Sequence, residues 1–165
     1  MADDHALMRR GIKTLLESHP GWEICGEAHT GRDAVAKAET LKPDIVILDI
    51  SMPDLNGVDA AKRIRKISPE TELLILSIHY SDQLIREILK AGVRGYLVKS
   101  DSDRDLVIAV ETLANHKPFF HITSNRSNIK RLSWRKNSVR SFEHSGRCFD
   151  LPRTRDYTTD SGREK

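Results

Sequence analysis

The sequence predicts an α/β fold in which helices cover both faces of a doubly wound parallel sheet. Short apolar runs bounded by turn residues alternate along residues 1–116 with segments whose apolar residues recur at helical spacing. The run IVIL at residues 45–48 is apolar throughout, which is typical of a strand buried on both faces. Strands that alternate with helices favour a parallel sheet.

Four elements are predicted in the first fifty residues. Residues 6–17 have leucines and an isoleucine at helical spacing, whereas the short apolar segment at 22–28 favours a strand. A helix is predicted over 31–41, where alanine and valine side chains share one face. The strand at 44–49 follows and ends in an acid, Asp49.

Five further elements continue the alternation. Helical periodicity predicts helices over 58–67, 82–91 and 102–115, and the second of these stops before a glycine, as helices commonly do. Apolar runs predict strands over 73–77 and 95–99.

Composition limits the class of protein. The sequence contains no apolar run of about 18 residues, so we expect no membrane span. Met1 is followed at once by Ala2, Asp3, Asp4 and His5, so no secretory leader is expected. Cys25 and Cys148 lie far apart, and free thiols in a cytoplasmic protein are the expectation.

Charge divides the chain at about residue 116. Residues 1–116 have 15 Lys and Arg against 19 Asp and Glu, a net charge of −4. Residues 117–165 have 12 against 5, a net charge of +7. This change of sign indicates two regions, a folded domain at 1–116 and a basic tail at 117–165.

Polar residues at the ends of the predicted strands indicate a site. Asp49, Ser77 and Lys99 each end a strand, and Asp3 and Asp4 precede the first helix. The carboxyl ends of parallel strands share one sheet edge, so these side chains are expected to converge there. Three acids together repel each other, and hard oxygen ligands suit Mg²⁺. A lysine and a hydroxyl beside them suit a phosphoryl group, so phosphoryl transfer onto Asp49 is the chemistry that fits.

Three segments carry a family resemblance. The segments ADDHALMRRG at residues 2–11, DISMP at 49–53 and GYLVK at 95–99 resemble receiver domains of two-component response regulators of the LuxR/NarL (FixJ) type. The resemblance covers residues 1 to about 120. It implies a flavodoxin-like, CheY-like fold, and a phosphoacceptor rather than an enzyme.

The resemblance also implies roles for residues and partners. Asp49 would accept a phosphoryl group from a sensor histidine kinase, and Ser77 and Lys99 would contact the phosphoryl oxygens. Tyr96 would act with Ser77 as the switch. Homodimerisation would follow phosphorylation, and the output would be control of transcription. The metal ligands of Mg²⁺ would be Asp3, Asp4, Asp49 and the backbone carbonyl of Ser51.

Each of these residues has a simpler interpretation when it is taken alone. The Asp3 and Asp4 pair could stabilise a helix amino terminus through the helix dipole. Ser77 could be an ordinary strand-end hydroxyl, Lys99 a solvated cation, and Tyr96 a half-buried strand aromatic. The histidines show no metal spacing and are given no role.

The sequence departs from the family in two places. Only Met1 and Ala2 precede Asp3, so the first strand of the sheet is expected to be missing. Residues 121–165 contain five Ile, Leu or Val, too few to build a core, and a disordered tail is expected. Synonymous codons read from the second base of the Asp150 codon permit a sequence that resembles the opening of a LuxR-type DNA-binding domain. We interpret residues 117–165 as a frameshifted remnant of a linker and helix-turn-helix.

Other classes of protein remain open. The chain could be a degraded, non-functional fragment, or a stand-alone receiver whose basic tail binds nucleic acid without sequence preference. A flavodoxin-like redox protein would need a phosphate-binding loop after its first strand, and an aspartyl phosphatase would need a second acid two positions after Asp49. In this reading frame no DNA-binding residue is predicted, so contact with DNA would require a domain encoded in another frame.

Overall fold

The computed structural model describes residues 1–78, 80–99 and 103–120, which form five helices and four strands. In chain order these are α1 (Ala6–Glu17), α2 (Gly31–Leu41), β1 (Ile45–Asp49), α3 (Gly57–Ile67), β2 (Glu72–Ser77), α4 (Asp82–Lys90), β3 (Gly95–Val98), α5 (Asp103–Ala114) and β4 (Phe119–Phe120).

The four strands form one parallel sheet in the order β1-β2-β3-β4. Leu48 of β1 lies opposite Ile75 of β2, which lies opposite Tyr96 of β3. All residues of β1, β2 and β3 are buried. Burial on both faces explains why these strands are almost continuously apolar in sequence. The predicted doubly wound fold is confirmed.

Alternate residues of the strands divide the core into two layers. Val46 and Leu48 of β1 face a cluster that includes the inner sides of α2, α3 and α4. Ile45 and Ile47 face the opposite cluster, to which α1 and α5 contribute. The helices therefore cover both faces of the sheet, as the alternation of strands and helices predicts.

Local signals fix the helix ends. The side chains of Thr30, Asn56 and Ser81 accept hydrogen bonds from backbone amides in the first turns of α2, α3 and α4, respectively. Each such cap stabilises a helix by about 1 kcal/mol. After α4, Gly92 adopts φ 74°, a conformation that a residue without a Cβ adopts readily. The chain thus turns where the sequence predicts that the helix stops.

The predicted gap beside β1 is present, but the strand predicted at 22–28 does not form. Among the described residues, only Ala2 pairs on this side of β1, in isolated bridges to Leu48 and to Ala28. A strand at 22–28 would need to pair with another strand lying between it and β1. Residues 1–3 occupy that position, but they form a bridge only to Ala28. The rest of the segment therefore has no ladder to join.

The short strand β4 was not predicted. Phe119 and Phe120 pair in parallel with Gly95 and Tyr96. Two residues are too few to show an alternating pattern, so periodicity could not identify them. The strand lies beyond residue 116, the predicted end of the domain, and adds a row to the outer edge of the sheet.

Several predictions fall outside the described residues. They include the start of the last helix at Ser102 and the interpretation of the tail at 121–165. Within the described ranges, none of the helices has both the length and the apolar character that crossing a bilayer requires.

Candidate functional site

The carboxyl ends of the strands bring three predicted residues to one edge of the sheet. Asp49 is the last residue of β1, Ser77 is the last residue of β2, and Lys99 follows β3 directly. The backbone amide of Lys99 donates a 2.7 Å hydrogen bond to the carbonyl of Ser77. The lysine is therefore held in register with the end of the neighbouring strand.

Asp3 reaches the same edge through the short pairing of the amino terminus. The amide of Asp49 donates to the carbonyl of Ala2 at 2.9 Å, and the amide of Asp3 donates to the carbonyl of Ala28 at 3.3 Å. These bonds fix Asp3 beside the end of β1, where only 1% of the residue is exposed.

Lys99 lies between two buried carboxylates. Its Nζ atom is 2.8 Å from Asp3 Oδ2 and 2.9 Å from Asp49 Oδ2. The side chains are 8% exposed for Lys99 and 1–2% exposed for the two acids. Charges this far removed from water are retained only where they are paired, so the lysine is what allows two acids to lie together.

Two opposing effects act on Lys99. Burial lowers the pKa of Lys99, because it removes water from the ammonium group. The hydrogen bond to Asp3 and the negative charges of Asp49 and Asp3 raise it, and together they outweigh burial. The net result is a pKa above the ordinary value of 10.5, so the lysine is charged at neutral pH.

The Asp49 carboxylate has unused acceptor capacity. Lys99 approaches Asp49 Oδ2 as an ion pair, but outside the directions of a hydrogen bond. Within the described part of the chain, both buried oxygens of Asp49 lack a hydrogen-bond donor. Buried oxygens of this kind normally have a partner, so the geometry favours a further ligand at this carboxylate.

A compact acidic group surrounds Asp49. One ligand atom each from Asp3, Asp4, His5 and Asp49 lies within 4.8 Å of the others. The three carboxylates are hard oxygen ligands of the kind that Mg²⁺ prefers, so the residues predicted to hold this ion fit it. The structure thus brings the predicted acidic cluster together.

Two residues near Asp3 were not predicted from the sequence. His5 Nδ1 lies 2.8 Å from Asp4 Oδ1, and the His5 amide donates to Asp3 Oδ1 at 2.8 Å. Arg9 is buried, and its Nη1 donates to the backbone carbonyl of Asp3 at 2.8 Å. A signal for Arg9 was available, because it shares helical spacing with the buried residues Ile12 and Leu16.

The remaining predicted residues lie at different depths. Ser51 is exposed in the loop after β1, whereas Ser77 is buried, with 6% exposure. Tyr96 is fully buried in the layer that contains α3 and α4. The alternative of a half-buried strand aromatic is therefore wrong for Tyr96, and its ring lies inside the core.

The α3 helix begins directly against the end of β1. Gly57 donates its amide to the carbonyl of Ile50 at 3.0 Å. A Cβ atom at this position would lie 2.1 Å from the carbonyl oxygen of Asp49, far inside contact distance. Glycine is therefore required for the loop to close over the strand that holds Asp49.

Such a fold, with acids and a lysine at the carboxyl edge of a parallel sheet, defines a receiver domain of two-component signalling. The chain belongs to the response regulator receiver domain family, whose pattern matches residues 1–111.

Relatives place the chain among response regulators of the LuxR type. It is 34% identical over 128 residues to the transcriptional regulatory protein DegU of Brevibacillus brevis, covering 78% of this chain and 54% of that protein. A LuxR-family two-component response regulator from Aurantimonas sp. SI85-9A1 superposes with a TM-score of 0.70 and 29% identity, over 72% of this chain and 85% of the other.

A third comparison includes a metal ion. The CheX-CheY-BeF3-Mg+2 complex of Borrelia burgdorferi superposes with a TM-score of 0.64 and 25% identity, over 68% of this chain and 84% of the other. The match covers most of these two solved chains, whereas the chain spans about half the length of DegU.

Proposed function

We propose that this receiver domain accepts a phosphoryl group on Asp49 from a sensor histidine kinase. The observation that carries the proposal is the Asp49 carboxylate, which is buried at the sheet edge, lacks hydrogen-bond donors in the described residues, and lies 2.9 Å from Lys99. A carboxylate oxygen in this position can attack phosphorus, and the donor's leaving group departs from the opposite side.

Charge neutralisation is the main requirement of this reaction. Transfer brings a phosphoryl group with spread negative charge next to several acids, and the Lys99 ammonium can offset part of it. Bound Mg²⁺ would neutralise further charge, held by Asp3, Asp4, Asp49 and the backbone carbonyl of Ser51. The presence of Mg²⁺ in the Borrelia complex supports this assignment.

Ser77 and Tyr96 are the proposed switch. In this proposal the Ser77 hydroxyl would contact the phosphoryl oxygens, which is supported by its position at the end of β2, the strand next to β1 and Asp49. Movement of the Ser77 side chain toward the phosphoryl group would alter the packing of the buried Tyr96 on the adjacent strand. This repacking would change the surface formed by α4 and β3. A changed face would support homodimerisation.

The output of the domain is proposed to be control of transcription. The similarity to DegU, a transcriptional regulatory protein, supports this role, and any contact with DNA would be made by a domain outside the present reading frame. The domain acts as a phosphoacceptor in the cytoplasm, rather than as an enzyme.

Phosphorylation is tested by labelling the full chain with radioactive acetyl phosphate and Mg²⁺. We expect one phosphoryl group per chain, released by hydroxylamine as an acyl phosphate is, and we expect Asp49→Asn to abolish it. Asp54→Asn is the matched control, because Asp54 is an exposed acid of the following loop and its label should be unchanged. Acid-stable label that persists in Asp49→Asn would place the phosphate on a hydroxyl residue and refute the proposal.

A further inference from the structure

Arg9 is a buried cation that lies beside the acidic cluster. It belongs to α1, and only 7% of the residue is exposed. Arginine is rarely buried to this extent unless its charge is paired. Its contacts lead in two directions, to the backbone of Asp3 on one side and to the carboxylate of Glu27 on the other.

The contact with Asp3 is to the backbone carbonyl and not to the carboxylate. Arg9 Nη1 donates to this carbonyl at 2.8 Å. In the described ranges, no backbone amide donates to the same oxygen, although it lies just before the start of α1. A hydrogen bond from a charged donor is stronger than one from a neutral donor, so this contact fixes the backbone of Asp3 firmly.

The other bonds of Asp3 explain why this contact matters. The Oδ1 atom accepts from the His5 amide at 2.8 Å, and Oδ2 accepts from Lys99 Nζ at 2.8 Å. The Asp3 amide makes only a long bond, of 3.3 Å, to the carbonyl of Ala28. Among the described residues, the pairing of residues 1–3 with the sheet consists of isolated bridges and not of a continuous ladder. The position of the Asp3 carboxylate therefore depends on contacts from outside the sheet.

Glu27 anchors the guanidinium group of Arg9. Its Oε2 atom lies 3.6 Å from Arg9 Nε, an ion pair without a hydrogen bond, and its Oε1 atom accepts from Lys13 Nζ at 3.1 Å. The hydrogen bond from Lys13, together with the positive charges of Lys13 and Arg9, lowers the pKa of Glu27. The carboxylate is therefore charged at neutral pH and holds Arg9 between α1 and the segment at 22–28.

Pairing with Glu27 does not by itself explain why Arg9 is buried. Lys13, one helical turn further along α1, also pairs with Glu27, and its side chain is 40% exposed. Glu27 thus has a solvated cation as a partner without Arg9. The bond to the Asp3 carbonyl is the contact that Lys13 does not supply.

We propose that Arg9 is a positioning residue for the metal site and acts through Asp3. The inference rests on the proposed function, which makes Asp3 a ligand of Mg²⁺. By fixing the backbone from which the Asp3 carboxylate extends, Arg9 keeps that carboxylate in the orientation in which it meets Lys99 and the metal ion. Groups that hold metal ligands in place in this way change metal affinity without touching the metal.

The test compares Arg9→Met with Lys13→Met in the full chain. Both variants remove a cation that pairs with Glu27, but only Arg9→Met removes the bond to Asp3. Mg²⁺ is titrated without a phosphodonor, at a temperature at which all the chains are folded, and binding is followed by NMR amide shifts. We expect Arg9→Met to weaken Mg²⁺ binding by about 10-fold, as is common when a group that orients a metal ligand is lost. Lys13→Met should bind Mg²⁺ as the parent does.

Amide exchange separates positioning from a general loss of stability. In Arg9→Met, the amides of Asp3 and His5 should exchange about 10-fold faster, because residues 1–3 open more often. The amide of Ile75, in the core strand β2, should change much less. Arg9→Lys retains a donor for the Asp3 carbonyl and should recover most of the lost Mg²⁺ affinity.

Equal Mg²⁺ affinity in the parent and in Arg9→Met, or an equal loss in Lys13→Met, would overturn the proposal. So would an acceleration of Ile75 exchange that matches that of Asp3, since Arg9 would then stabilise the whole domain. A parent chain that binds Mg²⁺ but takes no label on Asp49 would refute the proposed function, whereas weaker Mg²⁺ binding by Arg9→Met would still support the positioning of Asp3. A parent chain that binds no Mg²⁺ would overturn both.

Discussion

Lys99 determines whether the two buried acids at the sheet edge are compatible with a folded chain. Its ammonium lies within 2.9 Å of a carboxylate oxygen of both Asp3 and Asp49, and all three side chains are at least nine-tenths buried. Without the cation, two desolvated negative charges would face each other, and the folded state would have to protonate one of them. The same lysine therefore serves stability and the proposed phosphoryl chemistry.

Replacing Lys99 with methionine should lower the free energy of unfolding by about 3 kcal/mol at pH 7, because breaking a buried ion pair leaves an uncompensated charge. Lys62→Met is the control, since Lys62 pairs with Asp59 at 2.7 Å but is 50% exposed, and should cost no more than ~0.5 kcal/mol. Urea unfolding measures both. Equal losses in the two variants would contradict the assigned role of burial.

The pH dependence of that loss has a definite sign. Because folding raises the pKa of Lys99, the lysine's contribution is fully present below its ordinary value of 10.5. It disappears as the pH rises through the higher folded-state pKa. The difference in stability between the parent and Lys99→Met should therefore stay constant from pH 7 to about pH 10 and shrink above 10.5.

Sequence alone predicted that Asp3, Asp49 and Lys99 would meet, because strand ends share an edge. It could not predict that Lys99 bridges the two acids, or that no donor among the described residues bonds to Asp49, since both depend on side-chain directions. His5 was missed because its spacing resembles no metal motif, although it directly follows the Asp3 and Asp4 pair. The roles of the site residues stay predictions.

At the scale of elements, α3 begins in close contact with the end of β1. Its amino terminus lies so close to the end of the strand that position 57 has no space for a Cβ atom. The asparagine before it caps the helix by accepting from the Asp59 amide at 2.8 Å. A fixed helix start thus holds the loop that contains Ser51.

Gly57→Ala should destabilise the domain by about 2 kcal/mol, because the added methyl group meets backbone and forces the helix and strand apart. Gly11→Ala is the opposite case, since Gly11 lies in the interior of α1 and a Cβ there would meet nothing within 4 Å. That change should stabilise by about 0.5–1 kcal/mol, because alanine loses less backbone entropy in a helix. Thermal unfolding of both variants measures whether each change lowers or raises stability. A stabilised Gly57→Ala variant would contradict the close contact described for position 57.

Elements with strong apolar patterns were predicted within one or two residues, as for β1, β2 and all of α1. The pattern failed at 22–28, where local sequence favours a strand but pairing depends on another segment. It also missed β4, which exists because β3 offers an open edge to two phenylalanines. In both cases the deciding contact is distant in sequence, so local periodicity had no access to it.

For the whole molecule, the described residues form two core layers around a parallel sheet, whose last described strand is β4. The family match, residues 1–111, covers nearly the same region. The charge reversal at about residue 116 predicts a division into a folded domain at 1–116 and a basic tail at 117–165. Whether residues 117–165 form a separate tail stays a prediction.

Ending the chain after Phe120 should leave the melting temperature within about 2 °C of the full chain, a shift that corresponds to less than ~0.5 kcal/mol. The reason is compositional, since five aliphatic side chains in residues 121–165 cannot offset an ordering cost of about 1–2 kcal/mol per residue. Calorimetry of the full chain and of the chain that ends at Phe120 measures the two melting temperatures. A fall of about 10 °C would show that these residues contribute to the core.

Ala2 pairs with both Ala28 and Leu48, but only in isolated bridges, and this gives the site a dependence on residues 1–3. A segment held by isolated bridges opens more often than core strands, which exchange their amides only when the whole domain unfolds. Asp3 belongs to that segment, while Asp49 ends the core strand β1 and Lys99 directly follows the core strand β3. Each local opening of residues 1–3 moves the Asp3 carboxylate away from Lys99, so that Lys99 then pairs with Asp49 only. The net charge around Lys99 is therefore expected to change each time residues 1–3 open and close. The rate of this change would be set by local opening and not by unfolding of the whole domain.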